Sequence, residues 1–346
     1  MITLDAIIFS LPNSMGGVSV YFAQLAQQLG LSLADLAVWI YGNPAAAQQL
    51  RCRPEQVVPR RQRLLERFRD LDGVRPGLLH SSYYRTSTQR GVANVVTVYD
   101  FTYEKFVSGP RALPHKLQKR RAIMRADAVI CISENTRRDL LQLLPHYPEQ
   151  RLFVTHLAAG EVFRPLQQAT VTITARPFVL FVGGRGGYKN FAAAIQGVQR
   201  VRECSIVCVG GGPFDESERA TLEGALPGRY FHAGAVSAEE LNGLYNAAVC
   251  LLYPSLYEGF GIPPLEAMQA GCPFVALSHS SIPEVAGRAG VLLETSDPQL
   301  IADAIERCAG AQRRGELREL GFEQARRFSW RTTCEQTAAI YARLLP

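Results

Sequence analysis

The sequence contains no Cys-x-x-Cys pair, although it has eight cysteines, at positions 52, 131, 204, 208, 250, 272, 308 and 334. Most of them fall inside apolar runs, which points to reduced core residues and away from a disulfide framework or a zinc site. Cys204 and Cys208 flank one strand-like segment, but no third and fourth ligand adjoins them, so no metal is expected. A transmembrane-length apolar run is also missing. The opening stretch, Met1 to Phe9, lacks a basic head and a cleavage pattern, and it reads as a first strand rather than a signal peptide. A soluble cytoplasmic protein is the resulting expectation. Charge is nearly balanced, with 37 basic and 31 acidic side chains giving +6. That excess is too small to indicate nucleic acid, but it suits anionic small molecules or contact with an anionic membrane. With 47% apolar and 20% charged residues, disorder is excluded, and 346 residues suffice for two domains.

Apolar runs alternating with helical segments predict a mostly parallel, doubly wound α/β fold in each half. A strand over residues 4–11 leads through Pro12-Asn13-Ser14-Met15 to Gly16 and Gly17, which open a helix carrying Tyr21, Phe22 and Leu25. Backbone N–H groups there can approach an anion, although the turn can equally be a simple helix entry and lacks the G-x-G-x-x-G dinucleotide spacing. Leu36 to Tyr41 reads as the next strand. Residues 60–69 carry five arginines interleaved with Leu64, Leu65 and Phe68, and they predict a basic amphipathic helix, whose ordinary explanation is a solvated face and whose alternative is membrane contact. His80 ends another strand, followed by Ser81, Ser82 and two tyrosines, a polar and aromatic exit suited to a sugar. Tyr99 and Asp100 end the next, where an aspartate is also a common turn residue. A second basic helix contains His115, Lys116 and Arg120, and Ser133 caps the helix that follows Ala128–Ile132.

No helical period runs from Leu166 to Pro177, so the expected boundaries are 1–168 and 169–328, with a C-terminal helix in 329–346. The second half restarts with Phe178–Gly183. Gly184, Arg185, Gly186, Gly187 and Lys189 follow, and a guanidinium fork beside a lysine at a helix start makes a plausible diphosphate clamp. Ser237 and Glu240 form a capping pair. After the strand Val249–Pro254 comes Glu258-Gly259-Phe260-Gly261-Ile262-Pro263-Pro264-Leu265-Glu266. One carboxylate lies in the turn beyond the strand, the other near a helix start, where a glutamate is also a common stabilising feature.

In the Gly16-Gly17 loop, Ser133-Glu134-Asn135, the Arg185–Asn190 loop and the Glu-x7-Glu element, the chain resembles the retaining nucleotide-sugar glycosyltransferases of family GT4 over nearly its whole length. The resemblance implies an α/β GT-B fold, with two facing Rossmann-like domains of mostly parallel sheet. It implies that the last helix crosses back to the first, acceptor-side domain, while the second domain binds the nucleotide sugar. It also implies roles. Arg185 and Lys189 neutralise the donor diphosphate, Glu258 lies beside the donor sugar with the backbone of Gly259, Phe260 and Gly261, and Glu266 binds the ribose hydroxyls. Glu258, Arg185 and Lys189 are the expected catalytic residues, and Gly16 and Gly17 join the donor contacts. Metal independence and the absence of a cofactor are the family expectation. Many relatives carry His-Asp where this chain has Tyr99-Asp100, which affects the usual sugar contact. His80, Tyr99 and Asp100 are the candidates for sugar or acceptor contact.

The expected activity is retaining transfer of a hexose from a nucleoside-diphosphate sugar to a surface-polysaccharide or lipid-linked saccharide. GDP-mannose is preferred as donor by resemblance to polysaccharide mannosyltransferases, with UDP-sugars as the other option. Peripheral work at the inner face of the cytoplasmic membrane fits the basic segments. The alternatives are a sucrose- or trehalose-type synthase with a small soluble acceptor, and a noncatalytic subunit that binds sugar nucleotides.

Overall fold

The computed structural model describes residues 1–11, 16–33, 35–42, 50, 52–167 and 173–345. They form two units: residues 1–157 with 329–346, and residues 158–328.

In the first unit the strands are β1 Ile2–Asp5, β2 Leu36–Tyr41, β3 Val57–Arg60, β4 Gly77–Ser81, β5 Val92–Val98, β6 Ala128–Cys131 and β7 Leu152–Val154. They make one parallel sheet in the order β3-β2-β1-β4-β5-β6-β7. The central strands are buried along most of their length, as a parallel sheet covered on both faces requires, and they carry polar residues at Thr3, Asp5, His80, Ser81 and Thr97 among the apolar ones. The helices are α1 Gly17–Ser32, α2 Thr102–Phe106, α3 Leu113–Arg125, α4 Glu134–Leu143 and, from the C-terminus, α12 Trp330–Leu344. Helix α12 packs on α1, and Thr333 Oγ1 donates to the His156 carbonyl at 2.6 Å. Ser133 caps α4 by accepting from the Thr136 N–H at 3.0 Å.

The second unit has a parallel sheet in the order β10-β9-β8-β11-β12-β13. Its strands are β8 Phe178–Val182, β9 Ser205–Val209, β10 Tyr230–His232, β11 Cys250–Tyr253, β12 Phe274–Leu277 and β13 Val291–Leu293. Helices α5 Phe191–Arg200, α6 Glu216–Ala225, α7 Ala238–Ala247, α8 Ile262–Ala270, α9 Ile282–Ala286, α10 Pro298–Ala309 and α11 Ala311–Ala325 flank it. One core face joins Phe181, Ile206, Leu252 and Val275 to Ile195, Ile301 and Ile305, each side chain contributing about 1.5–3 kcal/mol on burial. Helices α5 and α10 meet at Gly197, where a Cβ would come within 2.3 Å of Ile301 Cγ2. Glycine is what permits that approach.

Two expectations change. The basic helix over residues 60–69 is absent: Arg60 ends β3, Leu65 sits in the left-handed region at φ 57, and only a single 3₁₀ turn, Glu66–Phe68, follows. Leu64 and Leu65 are 87% and 64% exposed, so the segment buries no apolar stripe that could hold a helix. The strand expected over residues 4–11 stops at Asp5, and a 3₁₀ turn takes Ile7–Ser10. The boundary expected at residue 168 lies outside the described residues, as do Pro12 to Met15. The segment 158–167 joins the second unit because Asn242 and Asn246 accept from the Arg164 and Leu166 N–H groups at 3.0 and 2.8 Å.

Candidate functional site

In the second unit the chain turns one way after β8, toward β9, and the other way after β11, toward β12. That reversal is where open parallel sheets hold ligands, beyond the carboxyl ends of the strands. The loop after β8 carries Arg185 and Lys189, and the loop after β11 carries Glu258 to Gly261. The two are laced together by the Leu256 N–H, which donates to the Tyr188 carbonyl at 2.8 Å.

Lys189 Nζ donates to Glu258 Oε1 at 2.7 Å. Both side chains are largely enclosed, and the lysine also lies 5.4 Å from the Tyr253 ring. The backbone of the glutamate turn is held from the end of β12. The Glu258 N–H donates to Ser280 Oγ at 2.8 Å, and Ser281 Oγ donates to the Glu258 and Phe260 carbonyls at 2.9 and 2.7 Å. Gly261 turns the chain into α8 at φ +115, where a Cβ would meet Ile282 Cδ1 at 2.9 Å. Helix α8 begins at Ile262, so Glu266 stands one turn further in than the first-turn position expected. Tyr245 donates to Glu266 Oε2 at 2.8 Å. Desolvation raises the Glu266 carboxyl to about 7, with the tyrosine bond opposing that rise.

Arg185 occupies a different position from the phosphate clamp expected of it. It is buried, and its fork is spent within the unit: Nε and one terminal nitrogen donate to Glu218 Oε1 and Oε2 at 2.9 and 3.0 Å. The other bonds run to the carbonyls of Gly210 and Gly212, both at 2.9 Å, and Pro213, at 3.0 Å. A planar guanidinium satisfies this ring of acceptors where an ammonium could not. Arg185 therefore braces the triple-glycine turn after β9 against α6. Sequence reading passed over Glu218, Ser280, Ser281 and Tyr245 as site residues. The Ser280-Ser281 pair after a central strand was the one visible hint. Ser237 and Glu240 make the expected capping box.

In the first unit, Gly16 is the N-cap of α1 and Gly17 its first residue, both exposed and without a side-chain cap. His80 is a correction. It is fully buried, its Nδ1 lies 2.5 Å from Tyr341 Oη and its Nε2 2.8 Å from Thr97 Oγ1, so it ties β4 to α12 rather than facing a sugar. Burial lowers its pKa to about 3, which keeps the ring neutral. Asp100 takes the turn role, accepting from the Thr102 N–H at 2.8 Å. Tyr99 is buried with its ring edge-on to Tyr21 at 5.9 Å, and its hydroxyl has no hydrogen-bond partner among the described residues. A buried hydroxyl left unpaired is rare enough to mark the residue. All eight cysteines are free, and seven of them are buried. Among the described residues no group of three His, Cys, Asp or Glu is placed to hold a metal, and no helix is long and apolar enough to cross a membrane.

A model described as Glycosyltransferase Family 4 matches residues 15–158, and one described as Glycosyl transferases group 1 matches residues 176–310. The chain belongs to glycosyltransferase family 4. This family 4 chain is 32% identical over 235 residues to O-antigen chain mannosyltransferase B of Escherichia coli, covering 62% of the chain and 60% of that protein. It is 25% identical over 260 residues to a serotype-specific mannosyltransferase of the same organism, covering 70% of the chain and 32% of that protein. The matches thus span less than two thirds of these relatives. Sucrose-phosphate synthase of Thermosynechococcus elongatus has the same GT-B fold, with a TM-score of 0.76 at 20% identity, covering 99% of the chain and 98% of that structure.

Proposed function

We propose that the chain is a retaining hexosyltransferase that moves mannose from GDP-mannose to a saccharide acceptor of a bacterial surface polysaccharide or its lipid-linked precursor. The observation that carries this reading is the Lys189–Glu258 ion pair at the reversal point of the second sheet, with Glu266 on the helix that follows the same turn. Lys189 is the cation for the donor diphosphate, with N–H donors beyond the one that Glu258 takes. Glu258 then lies toward the sugar, and Glu266 accepts from the ribose hydroxyls. Breaking the sugar C1–O bond leaves negative charge on the diphosphate, and a preorganised ammonium with backbone amides of Gly259, Phe260 and Gly261 stabilises it where it forms. The acceptor hydroxyl attacks C1 from the face the diphosphate leaves, and its proton passes to the departing phosphate oxygen. Arg185 acts as a positioning residue, through the glycine turn it braces.

Mannose and the polysaccharide acceptor are favoured by the mannosyltransferase names of the relatives; a UDP-sugar is the other donor tested. The proposed location is cytoplasmic, with peripheral contact at the inner membrane face. Support comes from α3, where exposed Leu113, Leu117 and Met124 follow one another at helical spacing among Lys116, Arg120 and Arg121. The test is a donor screen with GDP-mannose and UDP-glucose, with and without a lipid-linked oligosaccharide. Transfer from GDP-mannose that requires the saccharide supports the reading. Efficient transfer to a small soluble sugar favours the synthase alternative, and donor binding without any transfer removes catalysis.

A further inference from the structure

The segment that was expected to be a basic helix instead walls a cavity of about 180 Å³ in the first unit. The floor is aromatic. Arg60 lies over the Trp39 ring, its Cζ 3.5 Å from the centroid, and Arg85 lies over Tyr41 at 5.0 Å. The charges around this floor are unevenly matched. Arg85 is committed to Asp5 and Glu66, at 3.1 and 2.7 Å. Asp70 is held by Arg121 and Arg125. What remains on the cavity is Arg60, Arg61 and Arg63 against one carboxylate, Asp72. Arg60 makes a 3.4 Å bond to the Asp72 carbonyl, whereas the Arg61 and Arg63 side chains have no partner among the described residues.

We infer that this cavity of the first unit is a phosphate-ester site. Guanidinium forks match phosphate oxygens in geometry, and the cation–π contact with Trp39 holds Arg60 at the cavity in advance. The volume falls below the ~300–1,000 Å³ usual for drug-sized ligands, so a phosphate or diphosphate head group fits better than a whole nucleotide sugar. Leu64 and Leu65, which follow Arg63 directly, are exposed and flanked by Arg61, Arg63, Arg67 and Arg69. An apolar tip within a basic ring suits the interface of an anionic bilayer, where a lipid-borne phosphate would be presented. The inference rests on the proposed glycosyl transfer only in that a lipid-linked saccharide carries such a phosphate.

The chain has two tryptophans, Trp39 and Trp330, so in a Trp330→Phe background the emission of Trp39 reports this cavity and not the second unit. Inorganic pyrophosphate is expected to change that emission saturably, and Arg61→Gln with Arg63→Gln to weaken the titration at least tenfold. Flotation with phosphatidylcholine vesicles containing phosphatidylglycerol, using the chain with Trp330 intact, identifies the source. Binding that needs the anionic lipid, and that Leu64→Ser with Leu65→Ser abolishes while the pyrophosphate titration is kept, supports a lipid phosphate. Pyrophosphate binding without vesicle binding supports a soluble phosphate ester at the same site. No response of Trp39 to pyrophosphate, or an equal response in the arginine double variant, overturns the site. Transfer to a soluble saccharide, measured in parallel, shows whether the proposed activity stands when the site fails.

Discussion

Lys189 and Glu258, from loops 69 residues apart in sequence, form an ion pair with Nζ 2.7 Å from Oε1. An ammonium carries three N–H donors and Glu258 Oε1 takes one of them, so each half of the pair sets the position and charge of the other. Lys189→Ala is expected to lower kcat/KM for the donor by about 10²–10³-fold, the range for removing one preorganised charge donor from a developing anion. Glu258→Gln, which keeps the shape, is expected to lower kcat more than it raises KM, with the melting temperature little changed. Steady-state kinetics of both variants check the assignment, and donor kinetics unchanged in Lys189→Ala would remove the lysine from the clamp.

Glu266 gives a pH signature. Its carboxyl is raised to about 7 by burial, and in the proposed donor complex the ionised form is the stronger acceptor for the ribose hydroxyls. Donor affinity should therefore rise as pH increases through about 7, and Glu266→Gln should flatten that dependence while weakening binding. For stability the sign is opposite. The folded chain retains a proton that the unfolded one releases near 4.5, so this contribution is present below that pH and fades as pH rises through 7. Donor KM measured across that interval, in both proteins, reads the first effect.

His80 titrates in the other direction. Its folded pKa of about 3 lies below the ordinary 6.5, so the unfolded chain binds the proton first. The stability it contributes is present above 6.5 and is lost as pH falls toward 3, an effect on the order of a few kcal/mol. His115, lowered to about 4, acts in the same sense. Both tryptophans belong to the first unit, so their emission follows its urea unfolding. His80→Gln should be less stable at neutral pH, by about 1–3 kcal/mol, but should lose less on acidification than the parent chain.

Tyr99 separates a structural from a contact role. Its hydroxyl has no partner among the described residues, so Tyr99→Phe should leave stability unchanged or raise it by up to about 1 kcal/mol. If the hydroxyl touches a sugar, kcat/KM should fall about tenfold, and a variant with unchanged kinetics would leave the tyrosine as core packing alone.

Arg185 yields a prediction about rigidity. Replacement by Lys keeps the charge but cannot span Glu218 and the carbonyls of Gly210, Gly212 and Pro213. Hydrogen exchange at the amides of Gly210, Gly211 and Gly212 should accelerate in Arg185→Lys, together with a loss of donor turnover. Slow exchange retained in that turn would argue against the brace.

The parallel sheets were readable because their strands are short apolar runs bounded by glycine, proline or a capping residue, as in Phe178–Val182 and Cys250–Tyr253. The two glutamates were readable because their spacing straddles a strand-to-helix turn. What the sequence did not reveal depends on tertiary partners. Residues 60–69 have helical composition, yet Glu66 is drawn to Arg85 and Leu65 is turned left-handed. His80 stands at a strand exit, as a ligand residue would, but α12 arrives from 261 residues away and closes over it. Arg185 has the fork suited to phosphate, and Glu218 takes it first. In each case local pattern gave the residue type, and a distant partner decided its use.

The central claim is tested most directly by the anomeric configuration of the product. Incubation with GDP-α-mannose and a lipid-linked oligosaccharide, followed by NMR of the new glycosidic linkage, should show an α-mannoside made by the parent chain and strongly reduced in Lys189→Ala. A β-linked product, or equal product from the Lys189 variant, would contradict retaining transfer at this site.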